Sequence, residues 1–182
     1  DCLYKVNFVE EKTDDYERKV PLLRYDSYHA EKINKTVAKL SGLKLGLPAV
    51  KIFQNRLVSI LNECNKDSWS SIWRRAIDDH DQNGSLSNVG GLIVVVYRDC
   101  LSGFVDNNAQ EATDYLRSSF GGRYQTLKRV AIHAVDKQYA ALKYLVDTAL
   151  FPEYFHDNFR HELWHLLNDH YNEFSSDQKK KL

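Results

Sequence analysis

Apolar residues recurring at steps of three and four, in a chain with only three prolines among 182 residues, constrain this sequence more than any motif does. That spacing puts side chains on one face of an α-helix, and scarce proline leaves room for long helices. Val50, Phe53, Leu57, Ile60, Leu61 and Cys64 keep the period, as do Leu127, Val130, Ala131, Ala134 and Val135. From Asp26, with Asp or Ser as N-cap, a helix is expected whose apolar positions Ile33, Val37 and Leu40 follow the same period and whose stop is Gly42. After a break at Gly46–Pro48 and the helix through Cys64, Ser68 opens a short helix carrying Trp69, Ile72, Trp73 and Ile77. Leu92–Tyr97 is β-branched enough for a buried strand, but Val89, Ile93, Val96, Cys100 and Phe104 carry a helical stripe through it, so it reads as helix.

Further helices are expected over 107–120 (ended by Gly121 and Gly122), around 127–135, through Leu142, Leu145, Val146 and Ala149, and over 157–174. Ser175 and Gln178 have capping-box spacing for a last one. The expected fold is therefore all-α: about eight helices in antiparallel pairs, forming an irregular α-solenoid or a compact helical bundle. The chain begins at Asp1 and has no methionine, so the expected organisation is one helical module over 1–182, cut from a larger protein. Residues 1–24 are mixed in pattern, suiting helix or strand, and read as a linker or the end of a preceding element.

Charge and cysteine usage narrow the partners. Lys and Arg number 25 against 25 Asp and Glu, so no long-range field gathers nucleic acid or an anionic membrane. The longest apolar run, Leu92–Tyr97, is far short of a membrane span. Cys2, Cys64 and Cys100 are an odd, widely spaced set without a Cys-x-x-Cys pair, which suits a reducing, cytoplasmic compartment. Cys64 and Cys100 fall on apolar stripes, where a thiol is inert. Trp69, Trp73, Tyr97, Tyr115, Phe120 and Tyr124 are spaced as core or groove-wall positions.

His161-Glu162-Leu163-Trp164-His165 is the one loud catalytic signature. In a zinc metallopeptidase, histidines at i and i+4 of a helix bind one metal, and the intervening Glu is general base to its water. Placing residues at 100° intervals gathers Phe159, Leu163, Leu166, Leu167 and Phe174 in one apolar sector. His161 and His165 fall nearly opposite, on the expected solvated face; His170 projects onto the apolar side, so a third ligand would have to be one such as Glu173 at the helix's own end or come from another segment. The expectation is thus no catalytic residue, no metal and no cofactor, with a zinc hydrolase using His161, Glu162 and His165 as the alternative. A second pattern, Asp79, Asp81, Asn83, Gly84, Ser85 and Ser87, matches the start of an EF-hand calcium loop, but Gly90 stands where the bidentate Glu belongs. Gly121-Gly122-Arg123 lacks the Gly-Lys-Ser/Thr of a phosphate loop.

The run Asp67-Ser68-Trp69-Ser70-Ser71-Ile72-Trp73-Arg74-Arg75-Ala76-Ile77-Asp78-Asp79-His80-Asp81-Gln82-Asn83 resembles a W-R-x-A-I-E-D-H-x-Q-N segment of large bacterial STAND-type antiviral-defence ATPases. Tyr97-Arg98-Asp99, Lys128-Arg129-Val130-Ala131-Ile132-His133, His161-Glu162-Leu163-Trp164 and Phe174-Ser175-Ser176-Asp177-Gln178 are similar to stretches further along such proteins. The resemblance covers roughly residues 46 to 182 and implies the helical-repeat sensor or scaffold region, with no ATPase activity carried over. The expected function is a non-enzymatic scaffold or protein-recognition module of a bacterial cytoplasmic protein in phage defence. Its expected partners are other domains or subunits of the parent protein or a foreign protein, not nucleic acid or membrane.

Overall fold

The computed structural model describes residues 4–12, 17–24, 27–83 and 88–182. It opens with a hairpin, β1 (Val6–Lys12) against β2 (Glu17–Leu23), antiparallel, with Val6 opposite Leu23 and Val9 opposite Val20. Then come α1 (Ser27–Leu45), α2 (Leu47–Glu63), a 3-10 turn at Asp67–Trp69 and the short α3 (Ser70–Trp73). After an irregular segment, residues 74–80, and a 3-10 turn at Asp81–Asn83, the next described helices are α4 (Val89–Asn107), α5 (Ala109–Phe120) and α6 (Gln125–Lys137). The chain closes with α7 (Tyr139–Leu142), α8 (Val146–Ala149), α9 (Arg160–His170) and α10 (Ser176–Lys179). Helix dominates the described residues, and no helix among them is long and apolar enough to cross a membrane.

The core forms around α4. Leu92, Ile93, Val94, Val96, Tyr97, Cys100, Leu101 and Phe104 are all fully buried, on every side of the helix. A helix apolar all round must be sheathed by others, and α1, α2, α5 and α6 all pack against it. This settles Leu92–Tyr97 as helix. A two-stranded hairpin is marginal alone. Here β2 rests on α4, and the Tyr4 ring meets Phe53 edge-on at 5.4 Å.

The α1–α4 crossing is unusually close. A Cβ on Gly42 would stand 1.8 Å from the Cys100 carbonyl oxygen, and one on Gly103 would stand 2.0 Å from that of Lys39. Gly42 therefore does not stop the helix; it lets two backbones touch. The break falls at Gly46, whose φ of 59° turns the chain into α2 in one residue. Among the described residues of α1, Ala30, Ala38 and Gly42 are buried. Ile33, Val37 and Leu40, the apolar positions that follow the helical period, are 40%, 38% and 48% exposed. The helical period holds, and the aliphatic stripe lies away from α4 because small residues are needed where the two helices meet.

Other departures are local. Ile77 lies outside α3, in the irregular segment after it. The helix expected through Leu142–Ala149 is two short helices joined by a 3-10 turn, and α9 ends at His170 before another such turn. The final capping box forms: Ser175 Oγ accepts from Gln178 N, and Gln178 Oε1 accepts from Ser175 N.

Candidate functional site

The segment from Arg74 to Asn83 runs between α4, α6 and α9, and polar side chains of all three helices converge on it. At the centre is Arg129 of α6. Its Nε donates to Glu162 Oε2 (2.9 Å) and its Nη2 to Glu162 Oε1 (2.8 Å). Nη2 also reaches the Arg75 carbonyl (2.9 Å), while Nη1 takes the Arg74 carbonyl (2.7 Å) and Ser70 Oγ (2.9 Å). A guanidinium has five N–H groups, and here each has an acceptor. Glu162 also accepts from Ile77 N at 2.9 Å. Neither side chain touches solvent appreciably, being 0% and 1% exposed.

Around this pair the segment is pinned at several points. Asn83 accepts from Ala76 N (3.0 Å) and donates to the Asp78 carbonyl (2.7 Å), closing the turn on itself. Arg98 of α4 reaches the Ile77 carbonyl (3.0 Å), Asp79 (2.9 Å) and Asp99 (2.8 Å). The buried Arg74 donates to the Ile77 and Asp78 carbonyls, and burial, with Arg98 next, pushes its guanidinium down to about 10. Asp67 receives the start of α6, accepting from Gln125 N (2.9 Å) and Thr126 N (3.0 Å). The helix's own N-cap, Tyr124, supplies no such oxygen.

A cavity of about 210 Å³ opens beside the segment, lined by Asp78, Arg98, Asp99, His133, Lys137 and Gln138 among others. His133 is 9% exposed and makes no hydrogen bond to a described residue. Burial first, then Arg98, pushes its imidazole down to about 3. Asp136 is buried nearby, 3.0 Å from Lys137 Nζ and 3.4 Å from His170 Nε2. His170 itself stacks flat on Tyr139 at 4.0 Å.

Of the residues singled out in the sequence, Glu162 is the buried hub just described, so its carboxylate is not free to draw a proton from a metal-bound water. His161 and His165 are half-buried, not on the solvated face; the position turned outward is Trp164, 56% exposed. The apolar sector of Phe159, Leu163, Leu166 and Phe174 is buried as the wheel expects, but Arg129 extends the buried side round to Glu162. Among the described residues no group of three or more His, Cys, Asp or Glu side chains could hold a metal ion. In the calcium-like pattern, Asp79 is engaged by Arg98 and Asn83 by the turn, while Gly84, Ser85 and Ser87 lie outside the described residues.

Cys100 is buried and its thiol is pushed up to about 12 by burial; Cys64 is half-buried and raised for the same reason. Tyr97, Tyr115 and Phe120 belong to the core, the first two sharing a 2.8 Å hydroxyl contact, whereas Trp69 stands out in solvent. Sequence reasoning missed Asp67, Arg98, Arg129, His133 and Asp136 as a set. One signal was present: Arg129, His133 and Lys137 recur every fourth residue along an otherwise apolar helix.

No protein-family model, curated protein or solved structure matches the chain. The polar centre binds four elements of one chain together, and most of its donors and acceptors are already used within the protein.

Proposed function

We propose that this chain is a non-enzymatic helical scaffold and protein-recognition module whose contact face is α1. The observation that carries the reading is the exposed aliphatic stripe of Ile33, Val37 and Leu40. Three large aliphatic side chains on one helix face invite burial against another surface, worth on the order of 1.5–3 kcal/mol for each one fully covered. Lys44 continues the stripe, while Lys39 is already paired with Asp106 at 3.0 Å, so the partner surface that fits is an apolar groove with a carboxylate at the Lys44 end. The partner would be another domain or subunit of the parent protein, or a foreign protein it detects. The likeness to the helical region of bacterial defence ATPases supports the same role: a rigid shape presented to a neighbour, with no chemistry of its own.

The test is site-specific photo-crosslinking from position 37 in the intact parent protein within cells. A single discrete partner peptide, crosslinked from position 37 and not from exposed Tyr144, and lost in an Ile33→Asp/Leu40→Asp variant, is the expected result. Equal crosslinking from both positions, or adducts indifferent to the double variant, would overturn the assignment.

A further inference from the structure

The two edges of the hairpin are not alike. Cys64 Sγ donates to the Lys19 carbonyl at 3.3 Å, so Lys19 turns its main-chain groups away from β1. Pro21 falls on the same outward side of β2, where its missing N–H costs no ladder bond. The β2 edge is thus closed, by the end of α2 and by proline. Across the ladder Lys19 faces Glu10 and Pro21 faces Phe8. That alternation makes Val6, Phe8, Glu10 and Lys12 the β1 residues whose N–H and C=O point outward. None of them is proline, and no third strand among the described residues pairs with them.

Charged side chains commonly guard an edge of this kind. Here they are drawn back onto β2. Arg18 holds Glu11 at 2.8 Å, Glu17 holds Lys12 at 2.7 Å, and Glu10 stands opposite Lys19. The β1 edge is left as a bare row of main-chain donors and acceptors.

We propose that β1 pairs with β1 of a second copy of this chain, antiparallel and centred on Val9, to make one four-stranded sheet. In that register every residue of the strand has a mate. Val9 faces the partner's Val9, Phe8 the partner's Glu10, Asn7 the partner's Glu11 and Val6 the partner's Lys12. No like charges stand directly opposite, and the four outward residues all fall in hydrogen-bonded pairs. Centring on Glu10 instead would set two carboxylates face to face, and centring on Phe8 would leave Glu11 and Lys12 without mates in the strand. Val9 and Leu22, on one face of the hairpin, are 47% and 45% exposed, and the pairing joins two such apolar faces side by side. A hairpin of two strands is marginal, and the pairing doubles the sheet. One strand pair buries less than about 1,200 Å², so the dimer is weak and reversible. The inference does not depend on the docking face of α1.

Analytical ultracentrifugation of the chain tests it, in an Ile33→Asp/Leu40→Asp background that removes the α1 stripe. The expected result is a monomer–dimer equilibrium with a dissociation constant on the order of 100 µM. Val9→Lys and Val9→Glu each set like charges face to face at the centre and should weaken the dimer by about threefold to tenfold. An equimolar mixture of the two should recover it as a heterodimer. Glu10→Pro removes an outward N–H that the hairpin does not use, and it should abolish dimerisation with circular dichroism unchanged. A chain that stays monomeric up to about 1 mM overturns the proposal. A dimer indifferent to Val9→Lys and Glu10→Pro overturns it too, as does a mixture of the Val9 variants that pairs no better than either alone.

Discussion

Arg129 of α6 and Glu162 of α9 form a two-pronged ion pair, 2.9 Å and 2.8 Å between heavy atoms, from which water is excluded. The pair ties two helices to each other, and through the Arg74 and Arg75 carbonyls and Ile77 N it ties both to the segment between α3 and α4. A buried pair gains little over a well-packed apolar one, but its halves cannot be separated cheaply. It specifies which way the segment of residues 74–83 passes between the helices.

Removing one half should therefore be severe. Glu162→Ala or Glu162→Gln leaves a buried cation without its anion and is expected to cost about 3–5 kcal/mol, a fall in Tm of roughly 6–20 °C at this chain length. Urea unfolding of both variants checks it. An Arg129→Met/Glu162→Leu double variant should recover much of the loss, since no lone charge remains. Full stability in Glu162→Gln would mean the pair is not structural and would free the carboxylate for chemistry.

At the α1–α4 crossing the usual effect of alanine reverses sign. Alanine in a helix ordinarily improves on glycine by about 1 kcal/mol. At Gly42 and Gly103 the added carbon would meet backbone carbonyl oxygens at 1.8 Å and 2.0 Å, which cannot rotate away. Gly42→Ala and Gly103→Ala should each destabilise by about 1–3 kcal/mol or more. Gly121→Ala, whose nearest neighbour would be 3.8 Å away, should be neutral or slightly stabilising. Thermal melts of the three variants decide between crowding and simple propensity.

These two features mark what the sequence could and could not say. The periods of α2, α4 and α6 are legible because large aliphatics recur with the helix turn and nothing competes with them. In α1 two faces compete, small residues on one and aliphatics on another, and hydropathy chooses the larger, which is the exposed one. Gly42 looks like a stop because glycine is a poor helix former; that its lack of a side chain serves a partner helix is a tertiary fact. Glu162 and Arg129 escape for a related reason. Hydropathy assigns each to solvent, and only their meeting, 33 residues apart, makes burial tolerable. The capping box at Ser175, being wholly local, was readable in full.

The start of α6 depends on a residue from elsewhere in the chain. Asp67 accepts from Gln125 N, Thr126 N and the Thr126 hydroxyl, the last at 3.0 Å. Losing a capping oxygen costs about 0.5–2 kcal/mol, and the helix dipole adds to that for a carboxylate. Asp67→Ala should fall at the upper end, and Asp67→Asn, which keeps an acceptor, well below it. Equal losses for the two in chemical denaturation would show that charge, not the hydrogen bonds, matters at this end.

His133 should make stability depend on pH in a defined window. In the fold its imidazole titrates at about 3, whereas in the unfolded chain it returns to the ordinary value near 6.5. Above 6.5 both states are neutral there and the group contributes nothing. As pH falls below 6.5 the unfolded chain takes up a proton that the fold refuses, so stability declines by up to about 1.4 kcal/mol per pH unit until about pH 3. Asp78, held below its ordinary range although burial opposes this, with His133 the first favourable cause, adds a loss of the same sign only at more acid pH. Urea midpoints at pH 7.5, 6.5, 5.5 and 4.5 should fall in the native chain. They should fall distinctly less in His133→Gln, which cannot titrate. Parallel curves for the two proteins would show that His133 finds its proton in the folded state, and that the cavity beside it is wetter than its burial indicates.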